Sequence, residues 1–250
     1  MKKNNLITTF IVLAALFSTN SLAASSVDIN FANWELQQPF PAPNGQAQVI
    51  SSSQLQSGYS NTYFYNSKNG VQVFMDPATG AVTPGSLHPR SELREMSGNA
   101  LAAWTGAGTN ALTFTGEVVK VGGGATGKTV IAQIHQSTSD APLYEVIYST
   151  ALKGFAVMYE NTQGQGTYVN LNYPYPLKTP YTIKLSVINY VVQIKINHTV
   201  VFTQTIDPAL QSATLYFKCG NYDQTASQGA VSVVPYTIVK DYAINVIHLL

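Results

Sequence analysis

Apolar and polar residues alternate in short runs along most of this chain. Ile183, Leu185 and Val187 alternate with Thr182, Lys184 and Ser186; after a break at Asn189 and Tyr190, Val192, Ile194 and Ile196 alternate with Gln193 and Lys195. A period of two belongs to a strand with one face in an apolar interior, so two such runs around a tight break predict an antiparallel hairpin. Similar runs cover Val71 to Met75, Leu112 to Val121, Leu143 to Ser149, Phe155 to Glu160, Tyr168 to Leu171, Val200 to Ile206 and Val231 to His248. Gly, Pro, Asn and Ser punctuate them, and no long stretch carries a helical period. The pattern predicts an all-β chain built as a two-sheet β-sandwich of the jelly-roll type, with little helix. An outer sheet face, if concave, forms a groove for an extended polymer.

The N-terminus departs from this pattern. Lys2 and Lys3 precede an apolar run from Leu6 to Phe17, broken only by Thr8 and Thr9, and Ser21-Leu22-Ala23 follows before Ala24. That is the layout of a secretory signal peptide, and the run is too short for a membrane span. Residues 1–23 are therefore expected to be removed near Ala23, leaving 24–250 as a single, soluble, monomeric domain that is periplasmic or secreted. Losing Lys2 and Lys3 takes the 13 basic residues to 11 against 12 acidic ones, a formal charge of about −1. With no basic stripe, nucleic acid is not an expected partner. Cys219 is the single cysteine, so neither an intramolecular disulfide nor a cysteine-based zinc site can form.

Charge becomes informative through its placement. Both arginines of the chain lie in Arg90-Ser91-Glu92-Leu93-Arg94, and the other eleven cations are lysines. Arg offers a planar fork that meets a carboxylate with two parallel hydrogen bonds, which a Lys cannot imitate. On a strand, Arg90, Glu92 and Arg94 share one face and Leu93 takes the other. The same rule groups Gln133 with His135 around Ile134. It also groups Tyr216, Lys218, Tyr222 and Gln224, leaving Phe217 and Cys219 inside. Such a set suits a carboxylated sugar polymer. Glu92 and Glu95 fall on opposite faces, and Glu92, between two arginines, is expected to stay ionised and structural. A glycosidase acid needs a raised pKa instead, so elimination is the more natural chemistry. His88 and His198 are read as surface residues, and His248 as packing.

Ser86-Leu87-His88-Pro89 running into Arg90-Ser91-Glu92-Leu93-Arg94-Glu95, then Gln133-Ile134-His135, then Tyr216-Phe217-Lys218-Cys219-Gly220-Asn221-Tyr222-Asp223-Gln224 resemble the three signature motifs of alginate lyases of polysaccharide lyase family 7. Asn33-Trp34-Glu35-Leu36 is similar to that family's opening strand, so the resemblance spans the mature chain. It implies a jelly roll whose concave groove binds alginate and cleaves its 1,4-glycosidic bonds by β-elimination, leaving a 4,5-unsaturated uronate. It further implies Arg90, Gln133, His135 and Tyr222 as catalytic residues, with Arg94, Lys218 and Gln224 as substrate contacts; Glu92 and Tyr216, on the same strand faces, are expected to contact substrate with them. No metal and no cofactor are implied. The Gln-Ile-His form of the second motif implies a slight preference for guluronate-containing blocks. Cys219 stands where the family usually has Ala.

On this reading Arg90 and Gln133 hold the uronate carboxylate and meet the charge that develops on it. His135, neutral near pH 7, takes the C5 proton and Tyr222 protonates the departing O4. For mannuronate, where proton and leaving oxygen share a side of the ring, Tyr222 serves as both, provided Arg lowers its pKa from about 10. Activity is expected to fall as the imidazole becomes protonated, and a rate flat down to about pH 4 would contradict the assignment. Two other readings fit the residues: a lyase on another polyuronate such as glucuronan, and a noncatalytic uronate-binding module.

Overall fold

The computed structural model describes residues 28–67, 69–139, 141–160, 166–232 and 234–249. The expected signal peptide lies outside them, as does most of the loop after Glu160. Two large sheets make up the fold. One runs, edge to edge, Gly166–Pro174, Gly154–Glu160, Pro142–Ser149, Lys128–Gln136, Leu215–Asp223, Ser91–Ser97, Trp34–Pro41 and Ala47–Ile50. The other runs Thr199–Thr205, Val191–Ile196, Tyr181–Ile188, Thr109–Lys120, Pro235–Leu249, Gln72–Pro77 and Phe64–Asn66. Neighbours along both paths are antiparallel. The described helix is one five-residue turn, Ser52–Gln56, and three short 3-10 segments.

The expected hairpin is present, with Ile188 paired to Val191 across a two-residue loop. Asn189 and Tyr190 have φ of 47° and 66°, the left-handed pair whose twist matches that of the flanking strands. Asn197 and His198, with φ of 47° and 71°, repeat the device before Thr199–Thr205. Between the sheets the inward-facing members of the alternating runs close one core: Leu36, Leu93, Ile134, Phe155 and Phe217 from one side, Leu112, Phe114, Ile183, Leu185 and Val239 from the other. Cys219 is buried among them as a free thiol. Its Sγ approaches the carboxylate of Asp241, which burial pushes up to about 8.

Strict alternation fails once where the site is built. Ile131 and the adjacent Ala132 both enter the core, and the register of Lys128–Gln136 shifts between Val130 and Ala132 against both neighbours. This β-bulge turns Val130, and not Ile131, onto the outer face, where it packs with Ile147, Ala156 and Tyr222. The adjoining strand needs Gly220, with φ of +135°. A Cβ there would lie 2.9 Å from the Ser91 carbonyl oxygen and 3.1 Å from Glu92 Cα. Glycine lets the motif strands come together without that collision.

Gly220→Ala should lower the unfolding free energy by about 2–4 kcal/mol, combining backbone strain with a steric clash. Urea denaturation of the purified protein measures it; an unchanged midpoint would show that the neighbouring strand yields freely.

Candidate active site

The three charged and polar motifs occupy adjacent strands at the middle of the first sheet, in the order Lys128–Gln136, Leu215–Asp223, Ser91–Ser97. Register then aligns individual side chains. Gln133 lies opposite Lys218, His135 opposite Tyr216, and Lys218 opposite Arg94. Their outward faces line a cleft of about 340 Å³ that also takes in Ser86, Arg90, Glu145, Met158, Tyr222 and Gln224.

Glu92 organises the group from beneath. It is 0% exposed and receives Arg90 Nη1 at 2.9 Å, Lys218 Nζ at 2.6 Å and Gln133 Nε2 at 2.5 Å. Burial opposes its charge, but the Lys218 ammonium and Arg90 guanidinium outweigh burial and hold its pKa below the usual carboxylate range. An ionised carboxylate only accepts, so the Gln133 atom facing it is the amide nitrogen, which keeps a second N–H. Glu92 was expected to contact substrate; the structure places it behind the lining side chains, held by three protein donors. Its cationic partners also differ from expectation, being Arg90 and Lys218. Arg94 turns to Glu35 on the next strand, with Nε at 2.5 Å and Nη2 closer still.

His135 is mostly buried against the ring of Tyr216, with centroids 5.1 Å apart. Its Nδ1 lies 2.9 Å from the Gln136 carbonyl oxygen. A carbonyl cannot donate, so Nδ1 carries the proton and Nε2 is left as a lone pair. Burial first, then the Lys218 ammonium, pushes the imidazole down to about 4. It is therefore a neutral base far below its ordinary range, which moves the expected acid limb of activity downward.

Tyr222 is half-buried and carries Arg90 above it, the guanidinium carbon 3.6 Å from the ring centroid. Ser86 ties the two together: its Oγ is 2.9 Å from the Tyr222 hydroxyl and receives Arg90 Nη2 at 3.0 Å. Arg90 Nε is buried without a partner. Tyr216 and Gln224 line the cleft as expected, the Gln224 side chain donating to the Tyr222 carbonyl at 3.4 Å.

Sequence reasoning missed four residues here. Glu35 within the opening-strand motif and Gln37 just after it have the period of a cleft-facing row, but only register shows that they lie opposite Arg94 and Glu92. Ser86 stood within a quoted motif without a role. Glu145 lies opposite Gln133. Two histidines also differ from expectation. His88 is half-buried near Tyr222, its Nδ1 2.6 Å from the Ala226 carbonyl oxygen. His248 packs against Trp104 and Phe217 as expected, yet also meets Glu95 at 2.6 Å and Asn110 at 2.7 Å.

A family model described as alginate lyase matches residues 27–248. Among solved structures the chain is 28% identical to an alginate lyase from Pseudomonas aeruginosa, covering 88% of this chain and all of that one with a TM-score of 0.76. It is 27% identical to alginate lyase A1-II', a member of polysaccharide lyase family 7, over 87% of this chain and 95% of that one, at a TM-score of 0.73. A substituted form of A1-II' in complex with a substrate written GGMG is 26% identical over 90% and 97% of the two chains, at 0.75. No curated protein sequence matches.

Replacing Glu92 by Gln leaves Arg90 and Lys218 without their counter-charge in a buried setting. The variant should lose about 3–5 kcal/mol of stability, as expected when one partner of a buried pair is removed. Thermal and urea unfolding measure the loss, and a variant as stable as the parent would show that the cations are neutralised elsewhere.

Proposed function

The chain belongs to the alginate lyase family, and from that premise we propose that its cleft cleaves the polymer by β-elimination through Arg90, Gln133, His135 and Tyr222. The protein is a polysaccharide lyase acting on alginate. One arrangement supports the finer assignment: two donors held by Glu92, an imidazole with an unprotonated Nε2, and a phenol beneath a guanidinium all line a single cleft.

The C5 proton of a uronate is weakly acidic because its adjacent carboxylate already carries negative charge. Arg90 and the remaining Gln133 N–H bind that carboxylate and stabilise the enolate-like charge as the proton leaves. Donors fixed in advance do this without reorganising during the reaction. Their own anchoring on Glu92 supplies that fixity. His135 Nε2 takes the C5 proton, and the Tyr222 hydroxyl delivers a proton to O4 as the glycosidic bond breaks. The electron pair from C5–H becomes the C4–C5 double bond, and the released chain carries O4–H. Arg94 and Gln224 contact neighbouring units, while Lys218 adds positive field to the floor. We place guluronate-containing blocks slightly ahead as substrates, because His135 and Tyr222 divide base and acid between two groups, as an anti arrangement requires. Export through residues 1–23 remains part of this reading.

Elimination is tested by ultraviolet absorbance of the conjugated unsaturated uronate during incubation with polymannuronate or polyguluronate, a chelator being present. The expected result is a rising signal on both, faster on polyguluronate. Tyr222→Phe should lower kcat by about 10³-fold or more while oligosaccharide binding persists, the loss expected when an essential proton donor is removed. Binding without any unsaturated product would favour the noncatalytic module, and product from glucuronan alone would favour the other polyuronate.

The pH profile tests His135. With its imidazole held down to about 4, the neutral base persists below pH 6, so kcat/KM on short oligosaccharides should fall only as pH approaches that value. A fall centred near about 6.5, the ordinary imidazole value, would show that the base is solvated or is a different group.

A further inference from the structure

On the side of Gln133 away from Lys218, Glu145 projects into the same cleft between Gln133 and Met158. It is 5% exposed. The other acidic side chains of this sheet face have protein donors: Glu92 has three, Glu35 has Arg94, and Glu160 accepts Gln136 Nε2 at 2.9 Å. Among the described residues no side chain donates to Glu145. Pro142 and Met158 line the cleft beside it, and Ile147 follows on its own strand face.

We propose that Glu145 is a substrate-binding contact of this cleft, its carboxyl group donating a hydrogen bond to a hydroxyl or carboxylate oxygen of the uronate unit beside the one held by Arg90 and Gln133. The inference rests on the lyase reading and adds a residue to it. A carboxylate buried without a donor or counter-charge in contact is costly, and the usual resolution is to keep its proton. Burial, and then the negative charge of Glu92, pushes Glu145 up to about 7 against the smaller opposing pull of Arg90 and Lys218. As an acid it is a donor; as an anion it repels a polyanion. The same side chain thus favours the substrate below its titration and opposes it above.

The groups around it are His135 on the neighbouring strand, Glu160 on the other side, and Glu92, Arg90 and Lys218 beyond Gln133. Of these, Lys218 is also pushed below its ordinary value, by burial and by Arg90. Its loss of charge would raise KM with pH as well. A ratio between two proteins that both contain Lys218 removes that contribution.

The experiment is KM and kcat of the full-length mature protein on an alginate oligosaccharide from about pH 6 to about pH 9, for wild type and Glu145→Gln, whose amide donates at every pH. The expected result is a wild-type to variant KM ratio that climbs about tenfold across the range, while the kcat ratio stays level with pH. A KM ratio flat with pH overturns the proposal. A second measurement needs no active variant: carboxyl carbon NMR of wild type, with Glu145 assigned by its absence from the variant. Saturation with an unsaturated trimer should raise the Glu145 midpoint, since only the protonated form donates, and a midpoint that is unchanged or lowered overturns the proposal. Failure to release unsaturated product from any alginate would sink the lyase reading and this inference together, whereas an active lyase with a flat ratio would sink this inference alone.

Discussion

The buried carboxylate of Glu92 is the constraint on which the rest of the site depends. Placing an anion beneath a sheet face is tolerable only if donors surround it, and Lys218 and Gln133 arrive from two other strands, with Arg90 from just before Glu92's own, to do so. In meeting that need they are themselves fixed. With Lys218 protonated, two cations against one anion leave a net positive charge at the bottom of a cleft suited to a polyanionic chain. Catalysis by preorganised donors and the structural demand of one buried charge are, here, the same set of hydrogen bonds.

Support from behind gives that set its rigidity. Leu93, Ile134, Phe217 and Cys219 occupy the inward positions that alternate with the cleft residues, so each functional side chain stands on a strand locked into the core. Mounting a site on central strands holds geometry more tightly than mounting it on loops. Ser86, drawn in from a loop, is secured at both Arg90 and Tyr222.

Burial acts on neighbouring groups with opposite sign according to the charge each would bear. It drives the His135 imidazole to its neutral form and the Glu145 carboxyl toward its neutral form, while Glu92, more deeply buried than either, stays ionised because two cations touch it. A base, an acid and an anion therefore coexist within a few strands of one sheet. The difference between the two carboxyl groups lies in which partners each strand register supplies, since their intrinsic chemistry is the same.

Local pattern in the sequence determined much of this. Alternation identified the strands and assigned Arg94, Gln133, His135, Tyr216 and Lys218 to a face opposite the core, because side chains on a strand alternate by geometry alone. The confinement of arginine to one pentapeptide pointed to a carboxylate-binding strand, and the order of three motifs pointed to the family. What no local pattern carries is which strands lie side by side and in what register. That decided whether Glu92 is paired by Arg94 or by Lys218, whether Val130 or Ile131 turns to the outer face, and how far burial moves His135. It also placed Glu145, an ordinary residue in an alternating run, opposite Gln133. Each is set by contacts between residues distant in the chain, and both burial and charge pairing are properties of such contacts.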